Sequence, residues 1–208
     1  MADGLARIHE GDNEKPSMNI SKILSVTTRK QWRSWLEKNH ASLPEIWLVF
    51  YHKNSYKHGL SYDAAVEEAL CFGWIDSTVK NLDRQRKVQR FSPRKPGSSL
   101  SEMNKERVRR LLREGAMTSA GLESIKKFVR YGAGGKIEVE PYVMPDDILA
   151  AFKKNKTVWK NFAAFPEYYK NIRVGFIDGA RKRPLEFRKR LRYFIEMTAK
   201  NKRFGMIQ

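Results

Sequence analysis

Three side chains near the middle of the chain have the types and spacing of a small-ligand site. Trp74 and Asp76 stand two apart in the run Cys71-Phe72-Gly73-Trp74-Ile75-Asp76-Ser77. The period of two of a β-strand puts them on one face. Arg90, on the segment expected to return alongside, would hold Asp76 ionised. The trio would bind a polar ligand by ring stacking and hydrogen bonds. The same residues suit a core tryptophan beside a structural ion pair, and this is the favoured reading. Cys71 needs a nearby base and an exposed thiol to act as a nucleophile. It ends an apolar helical run with no histidine near it in sequence, so it reads as a small buried hydrophobe. As the single cysteine it excludes an internal disulfide and a cysteine-only zinc site. Of the histidines His9, His40, His52 and His58, the first lies in the leader and the last two flank a loop with no carboxylate at short metal spacing, and no metal or cofactor is expected. No GxGxxG, P-loop, nucleophile elbow or HExxH pattern occurs. The run Tyr131-Gly132-Ala133-Gly134-Gly135 lacks the lysine and hydroxyl of a P-loop. The reading leans away from an enzyme.

The elements that would position these residues follow from pattern. Ile23 to Val26 reads as a short strand. Thr28 and Gln31 have capping-box spacing ahead of a helix that carries Trp32, Trp35 and Leu36 on one face. Glu45 to Tyr51 reads as a buried strand. Ser61 caps a helix with Ala65, Val66, Ala69 and Leu70 inward, which stops at Gly73. Trp74 to Lys80 and Lys87 to Phe91 form a hairpin around Asn81-Leu82-Asp83. Ser92 to Ser98 breaks regular structure. Ser99 and Glu102 predict a second capping box, Thr118 a further helix, and Tyr131 to Gly135 a flexible loop. Pro145, Pro166 and Pro184 open later helices. The last of these has Phe187, Leu191, Phe194 and Ile195 at helical spacing. Its charged side suits an anionic membrane, but such a stripe more often packs on its own core, so a membrane surface is not the expected partner.

The chain has 208 residues, net charge +18 and pI ≈ 10.1. No run approaches the ~20 apolar residues of a membrane span, no basic-then-apolar leader opens the sequence, and a cytoplasmic protein is expected. Residues 1–17 are polar and read as a disordered leader, with Met18 an alternative start. The positive excess is clustered. Twelve basic residues against three acidic ones lie between Val79 and Arg113, and ten against two between Arg181 and Arg203. Buried unpaired cations cost several kcal/mol each, and sequence neighbours offer too few acids. Arg84, Arg86, Lys87, Arg94 and Lys95 on the hairpin are therefore expected at the surface, with Arg107 and Arg110 on the next helix extending the patch. Arg188 and Arg192 mark a second one. Such a surface attracts polyanions, nucleic acid included, without base specificity.

Several motifs resemble a known family. They are Trp47-Leu48-Val49-Phe50-Tyr51, Ser61-Tyr62, Glu67 to Ser77 (EEALCFGWIDS), Gln89 to Pro96 (QRFSPRKP), Asn104 to Val108 (NKERV), Gly115 to Leu122 (GAMTSAGL) and Ala180 to Pro184 (ARKRP). Together they resemble the YdeI/OmpD-associated (OmdA-type, bacteriocin-protection) family over residues 18–200. Leu100 and Ser119 depart from it where Trp and Pro are frequent. The resemblance implies a YjbR/CyaY-like superfamily fold, some of whose members are suggested to bind DNA through a double-wing sheet, and a setting in envelope stress and bacteriocin tolerance. The expected fold class is α+β. A small mixed sheet domain, β-α-β-α-β-β, spans 18–98 and a helical domain spans 99–208. The leading function is a non-enzymatic basic protein that binds nucleic acid or another polyanion. The alternatives are a small-ligand binder or enzyme at Trp74, Asp76 and Arg90, and a protein-interaction adaptor with acidic partners.

Overall fold

A computed structural model describes residues 22–52 and 59–205. The leader, Met18, His9, His58 and most of the polar loop that ends at Gly59 lie outside the described residues. The fold class is α+β. The first elements are β1 (Ile23–Leu24), α1 (Arg29–Asn39), β2 (Ile46–Tyr51), α2 (Tyr62–Cys71), β3 (Trp74–Asn81) and β4 (Arg86–Pro93). They form a four-stranded sheet in the order β1-β2-β4-β3, parallel only between β1 and β2. Thr28 closes a reciprocal capping box with Gln31, and Ser61 caps α2 through the Ala64 N–H. Both hydroxyls satisfy backbone donors that a helix start otherwise leaves unpaired.

One sheet face packs under α1 and α2. Ile46, Leu48, Phe50, Phe91 and Trp74 join Trp32, Leu36, Val66, Ala69 and Leu70 in a single apolar cluster. Trp47, Val49 and Val88 form a smaller cluster with Leu82 on the other face, because alternate residues of a strand point to opposite sides.

After the sheet come α3 (Glu102–Arg113), α4 (Ser119–Ser124), β5 (Val129–Tyr131) and β6 (Ile137–Val139). The cap of α3 is Ser101, whose Oγ accepts from the Asn104 N–H, not Ser99. Glu102 therefore opens the helix instead of closing a capping box. The glycine-rich run is not a plain loop. It turns a small antiparallel hairpin in which Tyr131 faces Ile137. Leu100, Val108, Leu111, Ile125, Val129 and Val139 belong to the first apolar cluster, so this cluster runs past residue 98 to residue 139.

The second cluster is helical. It is built by α5 (Asp146–Lys153), α6 (Lys156–Ala164), α7 (Glu167–Asp178) and α8 (Pro184–Ala199). Phe152, Phe162, Tyr169 and Phe194 interlock there with ring centroids 4.4–6.2 Å apart. The last helix lays Phe187, Leu191, Phe194 and Ile195 onto this core. The two clusters meet where α3 crosses α7. A Cβ on Gly175 would stand 2.5 Å from Glu102 Cγ, so glycine is what allows this close approach.

Candidate polyanion-binding surface

The Trp74, Asp76 and Arg90 trio is not assembled. Trp74 is 1 % exposed and donates from Nε1 to the His40 carbonyl at 3.0 Å. Asp76 accepts from the Tyr62 hydroxyl at 2.8 Å and from Gln89 Nε2 at 3.3 Å. Arg90 donates to Glu45 Oε2 from Nε at 2.6 Å and faces the other side of the sheet. The register explains the separation. Asp76 pairs with Phe91, whose side chain joins the helix-covered core, whereas Arg90 pairs with Trp47 on the opposite face. An arginine one residue along β4 necessarily points away from Asp76.

Cys71 is fully buried, and burial pushes its thiol up to about 11. Its carbonyl receives the Thr118 hydroxyl at 2.5 Å and the Thr118 N–H at 3.2 Å. Gly121 packs so closely on the same carbonyl that no side chain fits between them. Gly73 takes φ +73° against Ala120 and Ser124. Two motifs distant in sequence, the run around Cys71-Phe72-Gly73 and that around Thr118 to Gly121, therefore fold into one structural junction between α2 and α4. Among the described residues no group of His, Cys, Asp or Glu is arranged to hold a metal ion.

Two candidate cations of the first basic stretch meet acids that the fold brings from elsewhere, and a third meets a neighbour. Arg107 pairs with Asp63 at 2.5 Å and Arg110 with Glu67. Arg86 pairs with its neighbour Asp83 at 2.6 Å, and the Gln85 N–H and the Arg86 guanidinium hold that carboxyl below its usual range. Arg94 is buried at 9 % exposure, with its guanidinium on the Ser99 carbonyl, and burial lowers its pKa. Its side chain is thus an interior one, contrary to the surface position expected for it. The reason is tertiary. Glu67 and Glu68 lie inside the sequence of α2, 6 % and 2 % exposed, and draw Arg29, Arg33 and Arg110 over them. Of the hairpin group, Arg84, Lys87 and Lys95 form no ion pair among the described residues. Arg84 and Arg86 border an open hollow of about 530 Å³ with Tyr51, Asp83 and Gln85.

The second basic stretch behaves differently. Residues 141–208 hold sixteen basic residues against six acidic ones. Five of those acids are already engaged with nearby cations, Glu167 with Lys170 at 3.0 Å among them. Asp147 and Asp178 clamp Arg181, Glu186 holds Arg190 at 2.7 Å, and Glu196 lies 3.7 Å from Arg192. Lys182, Arg183, Arg188, Lys189, Lys200, Lys202 and Arg203 are all exposed and form no ion pair among the described residues. On α8, Leu185, Arg188, Lys189, Arg192 and Tyr193 are exposed while Phe194 and Thr198 turn inward. Asn161 Nδ2 donates to the Thr198 carbonyl at 2.9 Å. This bond fastens α6 to the end of α8, so Lys160 and Lys200 flank the same junction. Cations there also complement the negative end of the helix dipole.

The segment after α8 turns back over α7. The Phe204 N–H donates to the Tyr169 hydroxyl at 3.0 Å. Arg173 lies between Tyr169 and Phe204, 5.5 and 4.6 Å from the ring centroids, and burial lowers its pKa. Arg190 sits 3.7 Å over the Phe176 ring. A cavity of about 370 Å³ between the start of α3 and α7 is lined by Ser101, Glu102, Ile172, Arg173 and Phe176 among others. A smaller one of about 50 Å³ continues past Arg173 and Phe176 to Arg190, Tyr193 and Phe204. Sequence reasoning singled out Arg188 and Arg192 here, counted Lys189, Lys200 and Lys202 in the basic stretch without assigning them a contact, and assigned no role to Phe176 or Tyr193. Lys189 was legible as a neighbour of Arg188. The two rings were not, because only packing shows which aromatics of a helix stay outside.

No curated protein and no solved structure matches the chain. Neither of its two family matches carries the YjbR/CyaY-like superfamily. Residues 24–124, from the sheet through α4, match the model of a domain of unknown function (DUF8412). Residues 141–201, the four-helix part that carries the unpaired cations, match the family model described as bacteriocin-protection, YdeI or OmpD-associated.

Proposed function

We propose that this protein is a binding protein for polyanions, nucleic acid foremost, and that α8 with its flanking turns is the principal contact. The observation that carries this reading is the run of exposed cations that form no ion pair among the described residues, Lys182, Arg183, Arg188, Lys189, Lys200, Lys202 and Arg203. Isolated lysines on a neutral protein attract little. A helix face of like charge raises the local concentration of phosphate groups and releases their counterions on contact. The contacts are to backbone phosphates, so they position the ligand without reading bases. Arg84 and Lys87 at the sheet hairpin supply a second, smaller contact. The setting we assign is the bacteriocin protection named by the family that residues 141–201 match.

The test is fluorescence anisotropy with labelled oligonucleotides across a salt series. Log K should fall linearly with log salt, by about 0.7–0.9 per phosphate contact. Removing two contacts with Arg188→Glu and Lys189→Glu should reduce that slope by roughly 1.4–1.8. Arg84→Glu with Lys87→Glu should have the smaller effect. No binding at low salt, or an α8 variant that binds like the parent, would end the proposal.

A further inference from the structure

The face that carries the unpaired cations also carries aromatic rings with one side held and the other open. Phe176 is 54 % exposed although Arg190 covers one of its faces at 3.7 Å. Arg190 is itself fixed, by Glu186 and by the Phe176 carbonyl at 2.8 Å. Tyr193 is 48 % exposed and meets Phe204 edge-on, at 4.8 Å and 76°. Both rings border the same cleft with Arg173, and Lys189 stands one helical turn before Tyr193. Each ring is thus immobilised from behind and offers a flat apolar surface beside unpaired cations.

From this we infer that the polyanion is single-stranded nucleic acid, whose bases stack on Phe176 and Tyr193 while its phosphates meet Lys189, Arg188 and Arg192. The inference rests on the polyanion reading and narrows it. Duplex bases are already stacked and paired, so they cannot use a protein ring without being unstacked. Unpaired bases can, and every base has a π-face. The Arg190–Phe176 stack strengthens the arrangement, because a base laid on the outer side of Phe176 extends an existing cation–π pair. A membrane surface fits less well. The two rings stand singly in a field of charge, and the apolar row of α8 is spent on its own core.

The experiment compares four probes with the full chain: a 20-nucleotide oligo-dT, a 20-bp duplex, heparin, and vesicles containing anionic phosphatidylglycerol. Oligo-dT should bind at least tenfold more tightly than the duplex at equal salt. The double variant Phe176→Leu, Tyr193→Leu should lose tenfold or more of oligo-dT affinity, with the salt slope and the heparin affinity unchanged. Tyr193→Phe keeps the ring and should keep the affinity, which separates loss of stacking from damage to the fold. Equal binding of single strand, duplex and heparin would overturn the inference and leave the polyanion reading standing. So would an unchanged double variant, or tighter binding to vesicles than to oligo-dT. Failure of every polyanion to bind would remove both.

Discussion

Glu68 offers the sharpest test of how the first part of the chain is held together. Its side chain is 3 % exposed and accepts from Arg29 Nε at 2.5 Å and from Arg33 Nη1 at 2.8 Å. Glu68→Gln keeps the shape, removes the charge and turns one end into an amide that meets a guanidinium donor-to-donor. Charged hydrogen bonds contribute about 1.5–3 kcal/mol each, and breaking a buried pair costs about 3–5 kcal/mol. The Arg29 and Arg33 side chains are 42 % and 33 % exposed, so water recovers part of their charge. Glu67 and Glu37 remain for them. The expected loss is therefore about 2–3 kcal/mol, or roughly 4–12 °C in Tm for a chain of this size. Urea denaturation of the parent, Glu68→Gln, Arg33→Met and the double variant measures it. The cycle should give a coupling of about 1 kcal/mol or more. A loss below about 0.5 kcal/mol, the value of an exposed pair, would show that Glu67 and Glu68 do not staple α1 to α2.

Three further outcomes follow from the same structure. Gly121→Ala places a methyl on the Cys71 carbonyl and should cost about 1–3 kcal/mol in chemical denaturation, whereas at Gly132 an added Cβ meets only ordinary contacts from 3.6 Å outward and the alanine variant should be near neutral. Cys71, raised from 9.0 to about 11, has a thiolate roughly 100-fold scarcer at pH 8 than a free thiol. Labelling of native protein should be slower than that of unfolded protein by at least this factor, and comparable rates would show the site to be open. The Arg181 guanidinium holds the Asp147 carboxyl below its ordinary 3.8. Its contribution to stability is complete above that value and is lost as pH falls through the lower folded one. Asp147→Asn should flatten the acid limb of a Tm-against-pH curve, and an unchanged limb would place acid sensitivity elsewhere.

Local rules settled much of this protein. Thr28 with Gln31, Ser61, Thr118, Pro166 and Pro184 mark helix starts because capping and proline geometry act within one turn. The alternation in Trp74 to Lys80 and the stripe Phe187, Leu191, Phe194, Ile195 express periodicity that any burial partner would satisfy. The α+β class, the hairpin and the burial of Cys71 were readable on those grounds. The fate of the charges was not. The acids that Arg107, Arg110 and Arg90 meet at short range are remote in sequence, and only folding brings Asp63, Glu67 and Glu45 within reach. The register that sends Arg90 to the face opposite Asp76 is likewise set by how β2 and β4 pair. Net charge is a property of composition, but an available cation is one that no distant carboxylate has claimed. Tertiary structure alone decided that Arg188 and Lys189 of α8 form no ion pair among the described residues while Arg90, Arg107 and Arg110 are claimed by acids from distant segments.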